Sequence, residues 1–106
     1  MKELVEAVES LTKEELVRAS QEHGCVNHSS HESYSILREE VDEAHDEGVG
    51  VEVFTDRYWK SVKADDESEQ EANLQAVYQK ATLAASEYIQ TAAMAIKALR
   101  TLKGGN

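Results

Sequence analysis

The sequence predicts an all-α fold, a helical bundle completed by association of copies of the chain. Three observations carry that expectation. The 106 residues include no proline and only five glycines, so few positions interrupt a helix. Apolar residues recur three and four apart, the period of a helical face and not of a strand. The C-terminal third carries apolar or long side chains on two roughly opposite faces, more than one short chain covers by itself.

Taken in order, residues 2–9 read as an amphipathic helical segment. Ser10-Leu11-Thr12 is expected to interrupt or bend it. Thr12 and Glu15 have the spacing of a capping box, and Leu11 and Leu16 that of a hydrophobic staple. A second stretch of helix then runs from 13 to 22 and stops at Gly24. Residues 24–29 form a loop. Ser29 and Glu32 repeat the capping spacing, so a helix is expected over 30–47, ending at Gly48, with Tyr34, Leu37, Val41 and Ala44 as its apolar stripe. Residues 51–63 begin with strand-like alternation, but one isolated strand has no partner here, and a short helix is the expectation. The polar run 64–71, ADDESEQE, is either a linker or the solvated start of the next element.

The last helix is expected over 72–102. Leu74, Val77, Tyr78, Ala81, Ala85, Tyr88, Ala92, Ile96 and Leu99 form one stripe, read as the core face. A second line, Lys80, Leu83, Glu87, Gln90, Met94 and Lys97, lies roughly opposite. A face turned only to water does not ordinarily carry Leu and Met. The run Ala92-Ala93-Met94-Ala95-Ile96 also permits close approach from more than one side. Both faces are therefore expected to be covered, with a second subunit supplying the cover.

Length suits a single helical domain over 1–106. Eleven Lys and Arg stand against 21 Asp and Glu, a net charge of −10. That balance speaks against a nucleic-acid polymer or an anionic membrane as partner and for a cation. One cysteine forms no intrachain disulfide. No apolar run reaches a bilayer-spanning length, and MKELVEAVES lacks the order of a secretory signal. The expected location is cytoplasmic.

The stretch from Glu39 to Glu47 holds six acids and no Lys or Arg. Glu40 and Glu43 are three apart and share a helix face, where like charges repel unless a divalent cation intervenes. Glu87 and Gln90 repeat that spacing on the last helix. Two helices, each presenting such a pair into a bundle, form a known style of metal site. Lys80 and Lys97 lie on the same line as Glu87 and Gln90, placed to meet phosphate charge. The bland readings of these residues are a solvated acidic face, a rim of a dimer interface and ordinary surface lysines.

The segment His31 to Glu43, HESYSILREEVDE, resembles the first motif of the MazG-like nucleotide pyrophosphohydrolases, a helix carrying Glu-Glu-x-x-Glu. The segment Glu87 to Ile96, EYIQTAAMAI, resembles the second-motif helix of small phage and bacterial members. The resemblance covers roughly a third of the chain. It implies an all-α homodimer or homotetramer in which Mg²⁺, or Mn²⁺, is held by Glu40, Glu43, Glu87 and Gln90. It implies hydrolysis of a nucleoside triphosphate to monophosphate and pyrophosphate, in housecleaning or phage nucleotide metabolism. Gln90 stands where better-known members carry Asp; an amide oxygen ligates Mg²⁺ but brings no charge. Glu39 is the candidate to orient or deprotonate the attacking water, although its helical angle points about 100° from Glu40. For the base, Trp59, Tyr58 and Phe54 are the available stacking residues, with core or interface packing as the alternative. His31, opening the acidic helix, is a candidate substrate contact.

A rival metal site lies in His23, Cys25, His28 and His31, but that spacing matches no standard zinc pattern. A rival function is a non-catalytic acidic helical oligomer, or a decayed family member, serving as an interaction protein.

Overall fold

The computed structural model describes residues 1–104, and every regular element among them is helical. Helix α1 spans Lys2–His23, α2 spans Ser30–Lys63 and α3 spans Glu67–Leu102. The chain divides into two compact units. One holds Met1–Val41 together with the chain from Glu87 onward, the other Asp42–Ser86. No helix among the described residues is long and apolar enough to cross a membrane.

Helix α1 is continuous where an interruption was expected at residues 10–12. Thr12 does not cap a new helix. Its hydroxyl donates to the Val8 carbonyl at 2.8 Å, one turn back, and so serves an existing helix. Thr12, Leu16 and Ala19 form the buried line of α1. Gly24 ends it as expected: with φ at +89° its N–H donates to the Ser20 carbonyl at 2.8 Å, a conformation side-chain-bearing residues rarely adopt.

The loop that follows is pinned by Asn27. Its backbone N–H donates to Thr101 Oγ1 and its side-chain NH₂ to Ser33 Oγ, both at 2.8 Å. The expected Ser29 cap forms, with Ser29 Oγ accepting from the Glu32 N–H at 3.1 Å. The other half of the box does not close on Ser29. The Glu32 carboxylate accepts instead from the His28 N–H at 3.4 Å and faces His28 Nδ1 at 2.9 Å. This pairing with His28 holds the Glu32 carboxyl below its ordinary range.

Helix α2 does not stop at Gly48. It runs through both glycines to Lys63, so residues 51–63 are helical as expected but belong to α2. The two glycines differ. A Cβ on Gly50 would sit 2.9 Å from Lys80 Cδ, so the missing side chain there permits close approach of Lys80; a Cβ on Gly48 would meet nothing within 4 Å. Gly48→Ala is expected to raise stability by about 1 kcal/mol, the mid-helix difference between the two residues. Gly50→Ala should gain less, because Lys80 must move. Denaturant midpoints compare the two variants, and an equal gain at both positions would contradict this reading. Within the acidic run, residues 64–66 form a tight turn with Asp65 at φ 53°. Asp66 Oδ1 then accepts from the Glu69 N–H at 3.1 Å, which starts α3 ahead of the expected residue 72.

In α2 the less exposed positions Ser33, Leu37, Glu40, Ala44, Glu47, Val51, Phe54, Tyr58 and Ser61 follow alternating steps of four and three. In α3 the positions Gln70, Asn73, Val77, Lys80, Ala84, Glu87, Thr91, Met94, Ala98 and Thr101 do the same. This is the seam pattern of paired long helices. It overturns most of the expected core face of α3, from which Val77 alone lies in the seam and Ala92 and Ile96 are half-buried. Leu74, Tyr78, Tyr88 and Leu99 are exposed, Ala81 and Ala85 with them, and the line through Lys80, Glu87, Gln90, Met94 and Lys97 is the inward one. Only Leu83 of that line is exposed. On α2, Tyr34 likewise faces out while Ala44 is fully buried. The physical reason is size: the buried apolar side chains are Leu16 and the small Ala19, Ala44, Ala84 and Ala93, which favour close backbone approach over large interdigitating groups.

Candidate functional site

Glu40 and Glu43 lie one turn apart on α2, and Glu87 and Gln90 one turn apart on α3. One carboxylate oxygen from each of Glu40, Glu43 and Glu87 lies within 4.8 Å of the other two. Glu40 and Glu87 are half-buried and Glu43 is exposed. Gln90 joins the first and third: with its amide assigned so that the NH₂ faces the acids, it donates to Glu40 Oε2 at 3.1 Å and to Glu87 Oε2 at 3.2 Å. Turned the other way, the amide oxygen would face those same carboxylates with no proton between them, an arrangement that only a cation stabilises. Three carboxylates and a carboxamide make an all-oxygen donor set, which suits a hard ion such as Mg²⁺.

A cavity of about 340 Å³ adjoins Glu40 and Gln90. Helix α1 contributes Glu15, Arg18, Ala19 and His23 to its lining, and Ile36, Met94 and Lys97 complete it. Arg18 donates through Nε to Glu15 Oε2 at 3.0 Å and through Nη1 to Glu22 Oε1 at 3.0 Å, with Nη2 also on Glu15. The guanidinium holds the Glu15 carboxyl below the usual carboxylate range, and the two carboxylates in turn push the Arg18 pKa up.

The remaining predicted residues fall in different places. Lys97 is buried, 4% exposed, and lines the cavity. Lys80 packs on Gly50 and pairs through Nζ with Glu47 Oε2 at 3.3 Å, a local partner already at hand. Glu39 is exposed and does not belong to the convergent carboxylates, as its angle on the helix predicts. His31 is exposed in the first turn of α2. Trp59 is exposed with Lys63 Nζ 5.5 Å from its ring; Phe54 is half-buried with the Arg57 guanidinium 5.1 Å away, and Tyr58 is half-buried. The loop histidines and Cys25 do not converge. Among the described residues the acidic trio is the one group of three or more such ligands that does.

Sequence reasoning did not find the residues that α1 brings to the cavity. Glu15, Arg18 and Glu22 are readable as helix-surface pairs by spacing alone. No local signal says that this face of α1 lies beside Gln90. No protein-family model, curated protein or solved structure matches the chain.

Proposed function

We propose that the protein is a Mg²⁺-dependent nucleoside triphosphate pyrophosphohydrolase of the MazG-like kind, acting in the cytoplasm and releasing a monophosphate and pyrophosphate. The observation that supports it is the convergence of Glu40, Glu43 and Glu87, joined by the Gln90 carboxamide. Mg²⁺, or Mn²⁺, would be held by these four side chains and would neutralise charge on the phosphate oxygens. Glu40 and Glu87 are half-withdrawn from water, which strengthens their attraction for a cation. The test is pyrophosphate release from a panel of ribo- and deoxynucleoside triphosphates with Mg²⁺, wild type against Glu40→Ala. No release from any triphosphate, or equal release by the variant, refutes the proposal.

One observation favours the second reading, a non-catalytic helical oligomer. The Gln90 NH₂ already neutralises part of the acidic group without any ion. Under that reading no metal stabilises the fold and no triphosphate is consumed.

Both readings include association of copies. Exposed Leu4, Val5 and Val8 supply the surface and, with half-buried Ala92, Ala95 and Ile96, line an apolar groove of about 590 Å³. Sedimentation at micromolar concentration should give at least twice 11.8 kDa, and Val8→Glu should shift the mass toward one chain. A wild-type mass of one chain would refute the oligomer.

A further inference from the structure

We propose that a cavity of about 330 Å³ beside the turn between α2 and α3 is a binding site for a neutral α-amino acid in its zwitterionic form. The proposal goes beyond the triphosphate reading and does not depend on it. All its residues belong to the unit Asp42–Ser86, and none is among the convergent carboxylates. The lining is sorted by charge. Arg57 and Lys60, three apart on one face of α2, supply two cations; Asp66 in the turn and Glu69 in the first turn of α3 supply two acids. Opposite charges that share so small a space ordinarily meet. Here neither cation and neither acid forms an ion pair with any described residue. Asn73, from the α3 seam, gives a second observation. It is 7% exposed, it lines this cavity, and its carboxamide makes no hydrogen bond to a described residue. Its amide atoms are not sealed from solvent but keep a narrow opening. A carboxamide brings two N–H donors and a carbonyl acceptor, and at that depth a ligand in the cavity replaces the water it has mostly lost.

The lining also selects the ligand. Two cations and two acids cancel, so a plain anion meets as much repulsion as attraction, and a plain amine does the same. A molecule carrying both charges is attracted at each end. Its carboxylate accepts from the Arg57 guanidinium and the Lys60 ammonium, and its ammonium donates to Asp66 and Glu69. The buried Ser61 hydroxyl gives its proton to the Tyr58 carbonyl at 2.6 Å and keeps its lone pairs for the ammonium. Asp66 Oδ1 stays on the Glu69 N–H, which leaves Oδ2 for the ligand. Both sides are fixed in advance. The Ser61 carbonyl accepts from the Asp66 N–H at 3.0 Å and from Gln70 Nε2 at 3.5 Å, tying the start of α3 to the end of α2. The Arg57 guanidinium lies 5.1 Å from the Phe54 ring, which limits its freedom. Such ordering lowers the cost of binding. The volume lies at the small end of ligand pockets, which run from about 300 to 1,000 Å³, and suits one amino acid better than a nucleotide.

The test titrates each neutral L-α-amino acid in turn into the full-length, nitrogen-labelled protein and follows the Asn73 side-chain NH₂ by NMR, its signals being identified by their loss in Asn73→Ser. At least one amino acid is expected to shift them saturably. Two analogues of the tightest binder, the acid lacking the amine and the amine lacking the carboxylate, should each bind at least about tenfold more weakly. Lys60→Gln and Glu69→Gln change exposed side chains, so both variants should fold. Each is expected to weaken the amino acid about tenfold, and each should act on one analogue only: Lys60→Gln weakens the acid, whereas Glu69→Gln weakens the amine and leaves the acid bound no more weakly. A general loosening of the turn would not sort the analogues by charge. Absence of a saturable Asn73 shift with every amino acid overturns the proposal. So does an acid analogue that binds as tightly as its amino acid, which marks a plain anion site, and so does wild-type-like amino-acid binding by either variant. Amino-acid binding in a protein that hydrolyses no triphosphate supports this site and overturns only the hydrolase.

Discussion

Replacing Glu87 by Gln is expected to reduce pyrophosphate release by at least about 100-fold and to abolish most of the stabilisation that Mg²⁺ confers. The first figure is a lower bound, because loss of an outer-shell partner alone weakens metal affinity or activity about 10- to 100-fold and Glu87 is proposed as a direct ligand. The second follows from mass action. A site saturated a hundredfold above its dissociation constant adds about 2.7 kcal/mol to the folded state. In a domain of this size that is a rise in melting temperature on the order of 10 °C or more. Glu43→Gln should blunt the rise less, since Glu43 is exposed and its carboxylate is better hydrated at the start. Melting in EDTA and in millimolar Mg²⁺ checks both variants. If wild type melts at the same temperature in both buffers, the carboxylate cluster is not a metal site.

The acidic trio was legible in the sequence for a physical reason: spacing of three on a helix dictates a shared face, and only two long helices were available to present such pairs. The packing around it was less legible. The seam of α3 is built from Gln70, Asn73, Lys80, Ala84 and Glu87, residues that hydrophobicity does not mark as inward. Leu74, Tyr78 and Leu99 form a better apolar stripe and so drew the core assignment, yet they face out. In a chain that leaves such large groups exposed, apolar periodicity marks a surface for covering as readily as a core. The glycines misled similarly. Gly48 and Gly50 read as a stop, whereas at Gly50 the absent Cβ makes room for Lys80. Thr12 read as a cap because spacing does not reveal whether a hydroxyl turns to a free N–H ahead or to the Val8 carbonyl behind. Arg18 and Glu15 had no sequence signal pointing to the site, because their place beside it depends on how α1 packs.

Gln90→Glu is expected to change the sign of the cluster's response to metal. Without an ion, Gln90 donates at 3.1 and 3.2 Å to two carboxylates that otherwise repel each other. The isosteric carboxylate removes both donors and adds a like charge. Loss of hydrogen bonds to half-buried acceptors costs about 1–3 kcal/mol, so the variant should melt several degrees below wild type in EDTA. With an ion bound, the same substitution supplies a charged ligand in place of a neutral one. A unit charge near 4 Å at an effective dielectric of 20 interacts by about 4 kcal/mol before dehydration is subtracted, so affinity for Mg²⁺ should rise at least tenfold. The two effects together predict crossing curves: the variant is the less stable protein in EDTA and gains more than wild type as Mg²⁺ is added. Parallel curves would show that the Gln90 amide neither holds the carboxylates apart from an ion nor stands next to one. Equal melting in EDTA with tighter Mg²⁺ binding would retain the metal site but remove the amide from its metal-free stabilisation. The crossing is what distinguishes a carboxamide serving two states of one site from a polar residue that only happens to lie at the seam.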